Sequence, residues 1–376
     1  MEAPVNDVKF VPPHQIEKQL SDIWESLSTT QTDGKNRRMR ACLFNLILVT
    51  DKNARAAYIR GIAERVIEKF PSRILFVTID RENKEDLLLT GVSVLNVKEA
   101  ASDIACDLIE CEVSSVSAVR VPFILLPHLL PDLPVYLLWA EDPILDNPLA
   151  YQLEKFTTRL IFDSESTSNL PLFAKSLLHH LEVSQCDIAD LNWARTESWR
   201  TLLIATFRST KRLAELHDTR TIKLIYNAKS TDFFCHTRIQ SIYLQGWLAG
   251  QLGWVLKEFD VVSKEISFHY EGPKNQPIEI RLIPEEHPEV APGSISTFEL
   301  STYSGQHFLF TRNPQASYQV TLYISSKETC EMPTQFLFSK GSIGQTLVKE
   351  ICQRQTSHHY LQLLRFVAGL EGLSLC

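Results

Sequence analysis

The chain has 376 residues, 44% of them hydrophobic, which is enough to bury a sizeable core and to divide into two domains. Its formal net charge of -7 argues against a general nucleic-acid binder, because such proteins replace counterions with a strongly basic face. The first residues, Met1 to Asp7, hold neither a basic start nor an apolar run, so no secretory signal is expected and a cytoplasmic protein without a membrane span is.

In chain order, Ile16, Leu20, Ile23, Trp24 and Leu27 recur every three or four residues after Pro12-Pro13 and predict an amphipathic helix. A polar loop from Ser28 to Asn36 leads into the basic cluster Lys35, Arg37, Arg38 and Arg40, read either as solvated or as a contact for an anionic partner. Strands are predicted over Cys42 to Val49, Arg73 to Ile79, Val92 to Val97, Asp107 to Val113, Pro134 to Trp139 and Arg159 to Phe162. Helices are predicted over Asn53 to Phe70, Pro148 to Phe156 and Leu170 to His180. This alternation is α/β, with a mostly parallel, doubly wound N-terminal sheet as the economical arrangement. The most apolar stretch, Val121 to Trp139, is broken by four prolines, His128 and Asp132, and is expected to be a buried connection.

A tryptophan-rich helix running to about Leu216 comes next, followed by a strand from Thr221 to Asn227 and a helix from Phe234 to Leu252. Beyond it the pattern alternates with a period of two around Ile266 to Tyr270, Ile278 to Ile283, Ser296 to Tyr303, His307 to Arg312 and Tyr318 to Ile324. Turn signals separate these runs, so they read as antiparallel hairpins, closed by one helix from Ser342 to about Leu370. The expected organisation is an N-terminal helix and basic loop over 1–40, an α/β domain over 41–185, a connecting helix over 186–220 and an α+β domain over 221–376.

Motifs for chemistry are scarce. The first strand runs into Thr50-Asp51-Lys52-Asn53-Ala54-Arg55 with no G-x-G-x-x-G, and Thr50 or Asp51 reads as a helix cap. The chain holds only 13 glycines, few for a fold that must let backbone approach phosphate closely. Lys340, Gly341, Ser342 and Gly344 form a possible phosphate nest at a helix start, though ordinary capping explains them as well. His179-His180 and His358-His359 point about 100° apart on a helix and read as surface residues. Glu285, Glu286, Glu289 and His287 lie in a proline-bounded loop and read as solvated charge. The eight cysteines include no C-x-x-C, so reduced thiols are the default, with Cys106 and Cys111 close enough to pair only across a turn. No catalytic residue, cofactor or metal is predicted.

The strongest local signal is Asp190-Leu191-Asn192-Trp193-Ala194-Arg195-Thr196-Glu197-Ser198-Trp199-Arg200. Asp190 is placed to cap a helix, and Trp193, Arg195, Trp199 and Arg200 read as an aromatic and cationic surface. Arg195 would stack on Trp199, leaving Arg200 for an anion. The competing reading puts Trp193, Trp199, Leu202, Leu203 and Phe207 in the core. A second aromatic element, Leu244 to Trp254, carries small residues at 246, 249, 250 and 253 that suit tight internal packing.

These two elements, with the strand Arg40-Ala41-Cys42-Leu43-Phe44-Asn45-Leu46, resemble the OpcA family of glucose-6-phosphate dehydrogenase assembly proteins. The resemblance implies a non-catalytic assembly factor and allosteric activator that binds glucose-6-phosphate dehydrogenase and favours its active oligomer. It makes Asp190, Trp193, Arg195, Trp199 and Arg200 the candidate partner interface. The alternative is a sugar-phosphate-binding sensor or enzyme that uses Arg37, Arg38 and the Lys340 to Thr346 turn.

Overall fold

A computed structural model describes residues 8–29, 39–96, 104–144, 148–184, 186–234, 236–338, 345–353 and 355–373. The chain forms two compact units. Unit 1 takes its described residues from Met1–Thr167, His179–Leu191 and Ile343–Thr356, and unit 2 from Ser168–Leu178, Asn192–Ser342 and Ser357–Cys376.

Unit 1 opens with β1 (Lys9–Phe10), α1 (Ile16–Thr29) and β2 (Met39–Arg40), followed by β3 (Asn45–Asp51), α2 (Ala54–Lys69), β4 (Arg73–Asp80), β5 (Leu88–Asn96) and β6 (Ile104–Ser114). It continues through α3 (Val121–Leu125), β7 (Val135–Ala140), α4 (Pro148–Glu154), β8 (Arg159–Phe162), α5 (Leu170–Val183) and β9 (Asp187–Asp190), with the later part of α5 in this unit. The sheet order is β1-β5-β6-β4-β3-β7-β8-β9, and every neighbour pair from β6 to β9 is parallel. Leaving aside the short β2, which pairs parallel with β6 off this path, the six strands from β6 to β9 in sheet order run 3-2-1-4-5-6 when counted among themselves, the doubly wound order, with β3 beside the point where it reverses. Leu46, Ile47, Leu48 and Val49 are fully buried because a central parallel strand is covered on both faces. The one-sided stripe of α1 (Ile16, Leu20, Ile23) is buried as its spacing predicts.

Unit 2, after the first part of α5, takes α6 (Leu191–Arg195) from Asn192 onward, α7 (Glu197–Phe207) and α8 (Thr210–His217), then β10 (Thr219–Asn227) and α9 (Ile239–Leu252). Seven strands follow: β11 (Val255–Val262), β12 (Glu265–Glu271), β13 (Pro277–Glu285), β14 (Ile295–Thr302), β15 (His307–Asn313), β16 (Ala316–Ser325) and β17 (Thr334–Leu337). α10 (Gln345–Cys352) then returns to unit 1, where Leu347 and Ile351 join the core formed with Ile62 and Val66 of α2, and α11 (His358–Ala368) belongs to unit 2. The second sheet runs β11-β12-β13-β10-β14-β15-β16-β17. One face is lined by Leu224, Phe268, Ile280, Phe298, Phe308 and Phe310, all almost fully buried.

The structure corrects the sequence reading in three places. The single tryptophan-rich helix is three short ones: Thr196 turns its hydroxyl back to the Trp193 carbonyl at 2.8 Å and separates α6 from α7, and Ser209 caps α8 by accepting from the Arg212 amide at 3.3 Å. The single closing helix is two, because Thr356 donates its amide and hydroxyl to Asp187 Oδ1, both at 3.0 Å, and draws the chain out of helix after α10. The second sheet is not purely antiparallel, because the chain passes through α9 and the β11–β12 hairpin before β13 returns parallel to β10. No helix among the described residues is long and apolar enough to cross a membrane.

Candidate functional site

At the end of β9, in unit 1, Asp190 is fully buried and accepts bonds at Oδ1 from the Ser164 amide at 3.2 Å and hydroxyl at 3.0 Å. The neighbouring residues of the motif belong to unit 2. Trp193 and Trp199 are only 4% and 2% exposed, so the expected aromatic surface is corrected: both rings are core. Trp193 lies against Tyr360 at 5.6 Å, and Trp199 meets Phe338 edge-on at 5.2 Å. Arg312, itself held by the carbonyls of Ile295 and Ser317 at 2.7 and 2.6 Å, stands over the Trp199 ring. Burial pushes that guanidinium down to about 10.

The cation stacking also differs from the sequence expectation. Because the helix breaks at Thr196, Arg195 swings over Phe234 at 5.0 Å and donates to Asn192 Oδ1 at 2.7 Å, and it does not stack on Trp199. Arg200 packs on the Trp193 ring at 3.3 Å and donates to the Trp193 carbonyl at 3.2 Å, so its guanidinium is partly committed to the core. The expected free anion-binding arginine is therefore a half-buried one anchored on an aromatic face.

The other side of α7 faces a groove of about 380 Å³ bounded by α7, α8, α9 and α11. Leu203, Ile204, Phe207, Leu213, Trp247 and Leu252 make it apolar, and Glu197, Arg200, Arg208, Gln251 and His359 supply polar groups. Ile204 is 60% exposed and lines the groove. The sequence reading missed Ile204 and Arg208, although their spacing from Glu197 and Arg200 along α7 marks one helical stripe. The small residues of α9 pack as expected at one point: a Cβ on Gly246 would stand 2.5 Å from the Phe366 ring, so α11 approaches closest there.

In unit 1, the carboxyl ends of β3 and β7 flank the switch point, where open α/β sheets take their ligands. That crevice is spanned by protein charges. Arg81 donates to Asp51 Oδ1 at 2.6 Å beside β3 and lies 2.8 Å from Glu141 Oε2 after β7, a carboxylate only 1% exposed. Asn53, rather than Thr50 or Asp51, caps α2 by accepting from the Arg55 amide at 2.8 Å, and Arg55 is paired with Asp163 at 2.5 Å. A carboxylate and a capped helix start do not suit a dinucleotide pyrophosphate.

A second hollow, of about 480 Å³, lies at the opposite, amino ends of β8 and β9 and is lined by Glu154, Thr157, His180, Ser184 and Cys186. His180 is inside rather than on the helix surface, 3.2 Å from Glu154, and burial lowers its pKa. His287 lies 3.2 Å from both Glu285 and Glu289, a local cluster on a loop. Cys106 and Cys111 are free and buried. Among the described residues no group of three metal-ligating side chains converges. The phosphate-nest candidates Lys340, Gly341, Ser342 and Gly344 lie outside the described residues, as do Lys35, Arg37 and Arg38. Arg40 is ion-paired with Asp107 at 2.5 Å.

Residues 63–177 match the family model described as glucose-6-phosphate dehydrogenase subunit N-terminal domain, and residues 186–356 the corresponding C-terminal domain. Among curated relatives, the OxPP cycle protein OpcA of Synechococcus elongatus is 24% identical over 263 residues, 68% of this chain and 56% of that protein. The protein of the same name from Nostoc punctiforme is 25% identical over 195 residues, 51% of this chain and 40% of that protein. The chain spans about half the length of the curated relatives it matches. Among solved structures, an NAD-binding oxidoreductase from Klebsiella pneumoniae shares the fold at a TM-score of 0.50 and 9% identity, covering 87% of this chain and 96% of that one. The two family models together match well over half of the sequence in consecutive order, and the chain belongs to the OpcA family of glucose-6-phosphate dehydrogenase assembly proteins.

Proposed function

We propose that this chain is a non-catalytic, cytoplasmic partner of glucose-6-phosphate dehydrogenase that favours the active oligomer of that enzyme in the oxidative pentose phosphate pathway. Family membership supports the choice of partner. The observation that carries a binding role is the α7 stripe. Trp193 and Trp199 fix it from within the core, while Ile204 and Arg208 stand exposed beside an apolar groove. Buried aromatics backing an exposed apolar side chain with a cationic neighbour make a rigid contact patch. In this reading Trp193, Arg195 and Trp199 position the interface, Asp190 braces the β8 end in unit 1, and Arg200 reaches the groove rim.

Activation then follows from linkage. A partner that binds the competent dehydrogenase state ten times more tightly than the other shifts their ratio tenfold, about 1.4 kcal/mol, and no further. The test is dehydrogenase activity over a range of substrate concentrations, with and without this protein, with oligomer size followed by light scattering. Higher activity with a larger complex is expected. Unchanged activity with no complex at micromolar concentrations refutes the proposal. A thermal shift with glucose 6-phosphate alone would instead support the sugar-phosphate sensor.

A further inference from the structure

The groove of about 380 Å³ beside α7 has walls made of helix, since α7, α8, α9 and α11 bound it. Its inner lining is apolar: Leu203, Phe207, Leu216, Trp247, Leu248 and Leu252 are all buried. Ile204 at 60% exposure and Leu213 at 42% stand at its mouth. A small-molecule site covers roughly 70–90% of its ligand, whereas here apolar side chains are left in solvent, so the occupant brings its own cover. The walls also select its form. Their backbone groups are bonded within the helices, so an extended strand finds no sheet edge to join, while a further helix lays an apolar ridge in such a groove as in a bundle.

Charge selects the chemistry of that helix. The chain as a whole has a net charge of -7, yet the helices around the groove are basic. From Glu197 to His217 the chain holds Arg200, Arg208, Lys211 and Arg212 against Glu197 and Glu215, α9 holds no charged residue, and α11 holds only Arg365. Arg212 is taken up by Glu215 at 2.8 Å and Glu331 at 2.6 Å. Arg208, on the groove, and Lys211, three residues further on, are exposed and have no carboxylate partner among the described residues. Glu197 lies at the other end of α7 from both. Arg200, Ile204 and Arg208 recur every four residues, so one apolar side chain stands between two bases about 12 Å apart along the helix. Arg200 is held on the Trp193 ring, which leaves Arg208 and Lys211 as the bases facing solvent.

Resting on the proposed partnership with the dehydrogenase, we propose that the groove receives an amphipathic helix of that enzyme. Its apolar ridge enters between α7, α8, α9 and α11 against Ile204 and Leu213, and carboxylates beside the ridge meet Arg208 and Lys211. The apolar contact supplies affinity, and the two bases fix which way the helix lies and reject a basic one.

The test measures binding of purified dehydrogenase to the full chain by titration calorimetry. Arg208→Glu combined with Lys211→Glu is expected to weaken binding at least about tenfold at low salt, and the gap to wild type is expected to close at about 1 M salt, where charges act over only ~3 Å. Lys264→Glu combined with Lys274→Glu, both exposed on turns of the second sheet, makes the same change in net charge and is expected to bind as wild type does. Lys211→Glu puts an acid in the first turn of α8, which suits the helix, and thermal melts check that the variants fold. With p-benzoyl-phenylalanine in place of Ile204, the chain is expected to photo-cross-link a dehydrogenase helix that carries acids within one turn of its apolar ridge. If wild type forms the complex but the two double variants bind alike, the inference is overturned and the partnership stands. A cross-link to a strand, to a basic segment or to a second copy of this chain has the same meaning. No complex with wild type removes both.

Discussion

Gly246 and Gly250 stand one turn apart on α9, and substituting each by alanine should move stability in opposite directions. At Gly246 a new Cβ would lie 2.5 and 2.6 Å from two atoms of the Phe366 ring and 3.0 Å from Leu363, inside normal contact. That ring stacks on Tyr270 at 6.4 Å, so moving it disturbs a second aromatic contact. Overpacking of this kind costs about 1–3 kcal/mol, and removing a helical glycine returns up to about 1 kcal/mol, leaving Gly246→Ala a net loss of about 1 kcal/mol. At Gly250 nothing lies within 4 Å, so Gly250→Ala should keep the whole propensity gain, about 0.5–1 kcal/mol. Urea unfolding followed by tryptophan fluorescence suits the comparison, since Trp193, Trp199, Trp247 and Trp254 belong to unit 2. If Gly246→Ala were as stable as wild type, the close approach of α11 to α9 would be wrong. If Gly250→Ala were the worse of the two, the packing assignment would be reversed.

Ile204→Arg changes an exposed side chain and should leave stability within about 0.5 kcal/mol while weakening dehydrogenase binding by about 1–2 kcal/mol, roughly 5- to 30-fold by titration calorimetry. Trp199→Ala is the opposite case and should cost about 3–5 kcal/mol of stability in urea, because it empties a site between Phe338 and Arg312. Equal loss of binding in both variants with no change in melting would contradict the division between core and contact. For the thiols, burial pushes Cys106 and Cys111 up from 9.0 to about 12. A folded-state pKa above the unfolded one contributes stability that is complete below pH 9 and is lost as pH rises towards 12, so alkaline unfolding should be steep there. At pH 8.5 a thiol reagent should modify the exposed Cys330 and Cys352 in the native protein and reach Cys106 and Cys111 only on unfolding.

Much of the architecture was legible because burial has a period. The run Leu46, Ile47, Leu48 and Val49 is apolar without alternation, as a strand covered on both faces must be, and the alternation from Glu265 onward marks a sheet with one face solvated. Helix breaks were less legible, because their causes are long-range or involve a single hydroxyl. Thr196 ends α6 by bonding back to Trp193, and Thr356 leaves helix because Asp187, 169 positions earlier, accepts its amide and hydroxyl. Neither bond leaves a periodic trace. The edge strand β11 was missed for a different reason: Val255–Val262 mixes exposed apolar and charged residues, so its alternation is blurred by having only one neighbour.

The candidate site shows where the sequence signal separates from the contact it was taken to mark. Tryptophans and arginines four apart read as a surface on the premise of one continuous helix, but a one-residue break rotates everything beyond it. The break brings Arg200 onto Trp193, seven residues away, and sends Arg195 to Phe234. With both tryptophans packed in the core, Trp193 of α6 lies against Tyr360 and Trp199, in the first turn of α7, against Phe338, and the side chains left outside along α7 and just after it are Thr201, Ile204, Ala205 and Arg208. Ordinary propensity arguments never single out such residues. Under the proposed function a rigid backing would let a few exposed atoms hold a partner without loss of side-chain and backbone freedom, so burial of the conspicuous aromatics and a contact role for their neighbours would be two parts of one design.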